Sequence, residues 1–194
     1  MRRRTFDVLA TAAGLVIAAV LLVAGVLLGW GHSFVTSEVH TQLAAQKIFF
    51  PPAGSPAIKA PEFAAMHQYA GQQMTTGAQA EVYADHFIAN HLKEIGGGKT
   101  YAQLSAESLA QPKNAALEAQ VQTVFRGETL RGLLLNAYAF GKIATIMGIA
   151  EIGAFAGAAL MLILSGLGFA HERRTAPQAE IFPKLAAKDV VSTS

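Results

Sequence analysis

Two long apolar runs constrain this chain more than any other feature of its sequence. The first, Val8 to Trp30, holds 23 residues without a charge. At about 1.5 Å of helical rise per residue it measures roughly 34 Å, enough for a bilayer core of about 30 Å. The second run, Ile143 to Ala170, holds 28 residues and is interrupted only by Glu151. We therefore predict two transmembrane helices, residues 8–30 and 143–170.

The first run has a second interpretation, a cleaved signal peptide with Arg2 to Arg4 as its positive region. Signal peptides carry apolar regions of about 7 to 15 residues, followed by a cleavage site of small residues. This run is longer, and no convincing Ala-x-Ala site follows it. We therefore favour an uncleaved anchor.

Basic residues flank the two runs on the same side. Arg2 to Arg4 precede the first run, and Arg173 and Arg174 follow the second. Because Lys and Arg are enriched in cytoplasmic segments next to a span, we expect both termini in the cytoplasm. The predicted order is a cytoplasmic N-terminus (1–7), a span (8–30), an extracytoplasmic domain (31–142), a span (143–170) and a disordered cytoplasmic tail (171–194).

Composition excludes several classes of function. The chain has no cysteine, which excludes disulfides, thiolate metal sites and cysteine nucleophiles. Residues 32–142 carry eight Lys or Arg and eight Asp or Glu. Because nucleic-acid binding depends on a positive surface, we do not expect nucleic acid among the partners.

The outer segment begins as a continuation of the first helix. Apolar residues recur every four positions through residues 33–47, which indicates one helical face. Three prolines and a glycine in residues 51–56 then end the helix. Phe49 and Phe50 precede this loop. We expect them in the domain core, with the membrane surface as the alternative.

The remaining outer segment contains helix signals alone. Two capping boxes, a hydroxyl with Gln three residues later, mark helix starts at Thr76 and Thr100. Residues 96–98 are glycines, which end the helix that begins after Thr76. No breaker interrupts residues 115–170, so we expect one helix there. The expected shorter helices are residues 61–73, 78–95 and 100–110. We predict an all-α fold, a hairpin of two transmembrane helices carrying an extracytoplasmic helical bundle.

Each span carries a pair of glycines four residues apart. The pairs are Gly25 with Gly29 and Gly153 with Gly157. Small residues at this spacing let helix backbones approach closely in lipid. In an antiparallel hairpin the two pairs would lie at similar depth, and we expect them to face each other. The alternative is that glycine is simply common in membrane helices.

Polar residues before the second span are candidates for contact with a partner or with lipid head groups. They are Arg126, Glu128, Arg131 and Tyr138. The alternative is structural, because Glu128 and Arg131 stand three residues apart, as in an ordinary surface ion pair.

Glu151 is a separate candidate. A carboxylate inside an apolar helix is costly and therefore suggests a functional role, here pairing with a partner or a proton-linked step. The alternative is an interfacial position, which holds if the bilayer begins near Met147.

No metal, cofactor or catalytic site is predicted. His86 and His91 lie five residues apart, about 140° around a helix, whereas paired helical ligands stand three or four apart. Residues 96–100 lack the first glycine of a phosphate-binding loop. We therefore expect a protein that is not an enzyme.

Three segments resemble a family of uncharacterised two-span membrane proteins from actinobacteria. They are residues 45–52 (Ala-Gln-Lys-Ile-Phe-Phe-Pro-Pro), 69–73 (Tyr-Ala-Gly-Gln-Gln) and 125–138 (Phe-Arg-Gly-Glu-Thr-Leu-Arg-Gly-Leu-Leu-Leu-Asn-Ala-Tyr). The resemblance covers most of residues 1–170 and implies a bacterial plasma membrane, but no activity.

Unbroken helices that join a domain to its spans suit a rigid scaffold. The leading hypothesis is therefore an accessory or scaffold subunit whose outer domain binds another membrane protein or a second copy of itself. The alternative is an extracytoplasmic ligand-sensing module, although residues 171–194 are too short for a signalling domain.

Overall fold

The computed structural model describes residues 3–174, and these are helical throughout apart from short connections. Within them the only β-type pairing is an isolated bridge between Phe49 and Gln73. The prediction of an all-α fold is therefore confirmed for the described part of the chain. The disordered tail was predicted from residue 171, which is wrong for residues 171–174, because the last helix continues to Arg174. From residue 175 onward the tail lies outside the described residues. The elements are α1 (Arg3–Ala45), 3₁₀ segments Pro56–Ile58 and Pro61–Tyr69, α2 (Gly77–Val82), a π-helical segment (Tyr83–Ile88), α3 (Ala89–Ile95), α4 (Tyr101–Ala110) and α5 (Ala115–Arg174).

Two of these helices are long and apolar enough to cross a membrane. Within Thr5–Ala45 and Ala115–His171, the most apolar windows have mean hydropathies of 2.7 and 2.0. Only 11% of each window is buried within the protein, whereas the core helix of a water-soluble protein would be mostly buried. Large exposed apolar surfaces of this kind are typical of membrane contact.

The chain divides into two compact units. Within the described residues, the first combines residues 3–28 with residues 149–174, and the second is Gly29–Gly148. In the described part of the first unit the buried side chains are small, which allows the two helix backbones to pack closely. The most buried are Ala18, Ala154, Ala158 and Ser165.

The second unit has an apolar core formed by α1, α2, α3, α5, the π-helical segment and the connecting segment, which is residues 46–76 between α1 and α2. Phe50 lies at its centre, 1% exposed, with ring centroids 5.3 Å from Tyr69 and 5.4 Å from Tyr83. Phe49 is 56% exposed, so the expectation of a core position is confirmed for Phe50 and wrong for Phe49. In extended backbone, successive side chains point to opposite sides, so only one of the two enters the core.

The segment after the proline-rich loop is a 3₁₀ helix rather than an α-helix. It ends at Tyr69, four residues before the predicted end at 73. Its core contacts are Phe63, Met66 and Tyr69, a constant spacing of three. A 3₁₀ helix has 3.0 residues per turn, so this spacing keeps all three side chains on one face.

The helix predicted for residues 78–95 is present but contains a π-helical segment. Ala80, Ala84, Ile88 and Leu92 are buried at a constant spacing of four. In a regular α-helix each step of four residues advances about 40° beyond one turn, so this row would drift away from the core. A π turn closes i→i+5 and holds more residues per turn, which brings the row back. Ile95, the last residue of α3, is 41% exposed.

The predicted helix boundaries are confirmed where they depend on caps. Thr76 and Thr100 each accept a hydrogen bond from the backbone N–H three residues later, and both capping boxes are complete. Gly97 and Gly98 adopt positive φ values of 61° and 78° after α3. These conformations favour glycine and end the helix.

Candidate partner-binding groove

An open apolar groove in the second unit is the strongest candidate for a functional site. It lies between α1 and α5 and has a volume of about 460 Å³. On α1 it runs from Phe34 to Leu43, which is about 14 Å at the helical rise. We name it the α1–α5 groove. Its lining residues are Phe34, Val35, Glu38, Val39, Gln42, Leu43, Gln46, Ile48, Leu130, Leu133, Leu134, Ala137 and Phe140.

The groove combines a buried floor with protruding walls. Leu43 and Leu134 form part of the floor, at 5% and 3% exposure. Around them, Phe34, Leu133 and Phe140 are 53%, 61% and 55% exposed. Burying such side chains stabilises a contact by roughly 25 cal/mol per Å² of apolar surface removed from water. The groove can therefore bind a complementary apolar surface.

Polar groups are confined to one edge of the groove. Glu38 and Gln42 lie on α1 and Gln46 directly after it, at a spacing of four, and all three are exposed. Glu38 is the only charged residue in the lining. Because the lining contains no Lys or Arg, the groove has no group suited to a phosphate or carboxylate ligand.

Helix α2 packs closely against α5 next to the groove. A Cβ added at Gly77 would lie 2.9 Å from the carbonyl oxygen of Ala137 and 3.1 Å from Cα of Tyr138. It would also lie 3.3 Å from Cα of Gly141, so two helix backbones meet here. No segment within residues 3–174 fills the α1–α5 groove in a comparable way.

Arg131, a predicted contact residue, is held within the second unit. Its Nη2 donates to Asp85 Oδ1 at 2.8 Å, and its Nη1 lies 3.6 Å from Glu128 Oε2. The hydrogen bond to Asp85 is the main reason that the pKa of Arg131 is raised, and the charges of both carboxylates add to it. These distances support the structural alternative, in which Glu128 and Arg131 form an ion pair within the protein. Sequence analysis missed Asp85, because it is 46 residues away.

The other two polar candidates differ in their surroundings. The Tyr138 hydroxyl donates a hydrogen bond to the Glu81 carboxylate, which raises the pKa of Tyr138. Lys142 Nζ lies 5.5 Å from the centre of the Tyr138 ring. Arg126 is exposed and forms no ion pair with the side chains described between residues 3 and 174. Of the four residues, Arg126 is the most available to a partner.

The glycines of the first unit are not equivalent. A Cβ at Gly25 would lie 2.9 Å from Cε1 of Phe155, and one at Gly157 would lie 3.2 Å from Cδ1 of Leu21. Both glycines therefore lie where the opposite helix approaches. Gly153 is exposed, with no other side chain or helix near its Cβ position. The buried small residues next to it are Ala154 and Ala158.

Gly29 and Glu151 complete the predicted set. Gly29 belongs to the second unit, and Glu151 belongs to the first; both are half-buried. Glu151 forms no hydrogen bond or ion pair with any described residue. Its position in α5 leaves both interpretations open, the interfacial and the functional one.

His86 and His91, which were considered as metal ligands, each lie within hydrogen-bond distance of a backbone carbonyl oxygen. His91 Nδ1 lies 2.7 Å from the Phe87 carbonyl oxygen, and His86 Nδ1 lies 3.3 Å from that of Glu62. Within residues 3–174, no three His, Asp or Glu side chains come close enough together to hold a metal ion.

The groove was not predicted from the sequence, although part of its pattern is visible there. Leu130, Leu133, Leu134 and Ala137 stand three or four residues apart, which marks one face of α5. The sequence does not say whether that face is covered by another element. Comparison of the chain with protein family models, with curated proteins and with solved structures finds no match.

Proposed function

We propose that this chain is a two-span protein of a bacterial plasma membrane with both termini in the cytoplasm. In this proposal α1 and α5 form a hairpin that carries an extracytoplasmic helical bundle. The protein acts as a non-enzymatic accessory or scaffold subunit of a membrane complex. The observation that carries this proposal is the α1–α5 groove, an apolar surface that nothing within residues 3–174 covers.

The location of the groove along the chain supports a membrane partner. Phe34 comes one helical turn after Trp30, at the predicted end of the first span, and Phe140 comes three residues before Ile143. A partner helix that leaves the bilayer beside α1 and α5 would therefore meet the groove directly. Docking of an apolar helix face into such a groove is a common mode of recognition.

The helices that form the groove also support a scaffold role. Both α1 and α5 extend without interruption through the predicted membrane boundaries, to Ala45 and from Ala115. Unbroken helices of this kind suit a scaffold better than flexible connections would.

A second candidate function, an extracytoplasmic ligand-sensing module, is supported by the size of the groove. Its volume of about 460 Å³ falls within the range of small-molecule pockets, about 300 to 1,000 Å³. Such pockets usually place a few polar groups around the ligand to orient it. Here the polar groups occupy a single edge, which favours an apolar helix over an oriented ligand.

Purification from the native membrane in mild detergent tests the accessory-subunit proposal. We expect the tagged chain to retain a stoichiometric protein partner, identified by mass spectrometry. Leu133→Arg, which places a charge on the groove wall, should lose the partner. The matched control is Leu109→Arg, at a site that is 82% exposed and outside the groove.

Recovery of the wild-type chain as a monomer with no other protein bound would overturn the proposal and favour ligand sensing. Retention of the partner by Leu133→Arg as well as by Leu109→Arg would show that the groove is not the docking surface.

A further inference from the structure

We propose that a second pocket, polar rather than apolar, binds the phosphate group of an anionic phospholipid. It lies between α1, the start of α2 and α5, has a volume of about 280 Å³ and shares no lining residue with the α1–α5 groove. We name it the Lys142 pocket. Its polar lining side chains are His32, Thr36, Thr76, Tyr138, Lys142 and Thr145. The inference is independent of partner binding and rests only on the proposed membrane position of α1 and α5.

The charge of the pocket selects an anion. Lys142 is exposed, and its ammonium forms no ion pair with the side chains that the structure describes. No Asp or Glu is among the described residues that line the pocket, so nothing there attracts the cationic part of a zwitterionic headgroup. A Lys ammonium is a common phosphate ligand, because it acts as a point charge with several donors.

An aromatic side chain holds Lys142 at the pocket. Lys142 Nζ lies 5.5 Å from the centre of the Tyr138 ring, within the range of a cation–π contact. The Tyr138 hydroxyl donates a hydrogen bond to the Glu81 carboxylate, which restricts the ring. Tyr138 was predicted to contact lipid or a partner itself, whereas here it positions the cation. Because the ring offers only its face, the N–H donors of Lys142 stay available to a ligand.

Hydroxyl groups add donors beside this cation. Thr36 on α1 and Thr145 on α5 are both exposed. Thr145 Oγ1 donates to the Gly141 carbonyl oxygen at 3.0 Å, whereas the Thr36 hydroxyl has no hydrogen-bond partner within residues 3–174. Thr36 therefore keeps a free donor for a phosphate oxygen. His32 Nδ1 donates to the Ala144 carbonyl oxygen at 2.7 Å, which joins α1 to α5 at the pocket.

The depth of the pocket favours a lipid as the source of the phosphate. A bilayer of about 40 to 45 Å around a core of about 30 Å has headgroup layers roughly 5 to 8 Å thick. His32 and Thr36 follow Trp30, the predicted end of the first span, by about 3 and 9 Å of helix. Lys142 precedes Ile143, the predicted start of the second span, by about 1.5 Å. The pocket therefore lies at the level of the headgroup phosphates.

Native mass spectrometry of the full-length chain in mild detergent tests the inference. The chain is incubated with phosphatidylglycerol or with phosphatidylcholine of the same acyl chains, and the lipids retained per chain are counted. We expect a single phosphatidylglycerol to be retained in preference to phosphatidylcholine. Lys142→Met should weaken this retention about tenfold, because a hydrogen bond to a charged group is lost. Thr36→Val, which removes only the hydroxyl, should weaken it less.

Two matched variants control for general effects of charge and of hydroxyl loss. Lys113→Met removes an exposed charge outside the pocket, and Thr41→Val removes an exposed hydroxyl of α1 outside it. Both should retain phosphatidylglycerol as the wild type does. Circular dichroism checks that every variant is folded, and the nearly isosteric Thr36→Val keeps the test decisive if Lys142→Met does not fold.

Three results would overturn the inference. They are equal retention of the two lipids by the wild type, retention that neither Lys142→Met nor Thr36→Val changes, and an equal loss in the control variants. Binding of inorganic phosphate without retention of phosphatidylglycerol would overturn the lipid as the source of the phosphate.

The same preparations separate this inference from the proposed function. Leu133→Arg should lose the protein partner and keep the phospholipid, because Leu133 does not line the Lys142 pocket. A wild-type chain that retains a protein partner without any lipid preference would overturn this inference alone. A monomeric wild-type chain that retains phosphatidylglycerol through Lys142 would overturn the accessory-subunit proposal alone.

Discussion

Glu118 illustrates how one side chain links two helices of the second unit. Its Oε2 accepts a hydrogen bond from Ser108 Oγ at 2.8 Å, which joins α4 to α5. Hydrogen bonds from Gln122 and then from Ser108 lower the pKa of Glu118 below its ordinary value. A lowered folded-state pKa means that the stabilisation is present above the unfolded-state pKa and disappears as pH falls through the folded-state pKa.

Ser108→Ala should therefore destabilise the chain more at neutral pH than in acid. We expect the thermal midpoint in detergent to fall by roughly 2 °C at pH 7, because one hydrogen bond to a buried hydroxyl is lost. At pH 3 the difference from wild type should shrink, since protonation weakens the bond that the variant lacks. Ser105→Ala on the same helix is the control. An equal loss at both pH values would contradict this account.

Contacts between neighbours in the sequence were predictable, and contacts across the fold were not. The spacing of three between Glu128 and Arg131 indicates an ion pair without any structure. The shorter contact of Arg131, to Asp85, depends on how α5 lies against the π-helical segment. Hydrophobicity likewise predicted both Phe49 and Phe50 in the core, whereas the extended backbone directs their side chains to opposite sides.

The contact between α2 and α5 depends on Gly77 of α2 and Gly141 of α5. Gly77→Ala would place its Cβ 2.9 Å from a backbone oxygen of Ala137, and a backbone cannot move aside as a flexible side chain can. We expect the unfolding free energy to fall by about 1 to 3 kcal/mol, the usual cost of overpacking. Equilibrium unfolding followed by circular dichroism measures this change.

Gly132→Ala is the matched control on α5. No neighbouring atom lies within 4 Å of its Cβ position, and the residue is exposed. Alanine has a higher helix propensity than glycine, so the variant should be more stable by up to about 1 kcal/mol. A Gly77→Ala variant as stable as Gly132→Ala would mean that the two helices do not approach as closely as the structure describes.

Helix ends were more predictable than helix types. The capping boxes at Thr76 and Thr100 depend on residues three apart, so the sequence contains the whole signal. The π-helical segment arises because Ala80 to Leu92 must keep a spacing of four against the core. That requirement comes from the packing of other elements, which no local pattern records.

The two long apolar helices could be predicted from the sequence, because apolar runs of this length without proline favour continuous helices. The α1–α5 groove could not be predicted in the same way. A groove is a surface left uncovered, and it depends on where α2 and the connecting segment pack. The sequence marks the apolar faces of α1 and α5 but not which parts of them remain exposed.

The proposed topology can be tested with single cysteines, because the natural chain contains none. Leu109→Cys, at a site that is 82% exposed, should react with a membrane-impermeant maleimide in intact cells if the outer domain is extracytoplasmic. Ser192→Cys, beyond the second apolar run, should react only after permeabilisation, because basic residues next to a span favour the cytoplasmic side. Gel-shift labelling of both variants measures this directly.

An N-terminal tag on the same variants distinguishes an anchor from a signal peptide. Retention of the tag on the membrane-bound chain, with Leu109→Cys labelled outside and Ser192→Cys protected, is the result expected for two spans with both ends inside. Loss of the tag would indicate cleavage after the first apolar run and leave a single span. Labelling of Ser192→Cys in intact cells would mean that the orientation is reversed, and the groove would then face the cytoplasm.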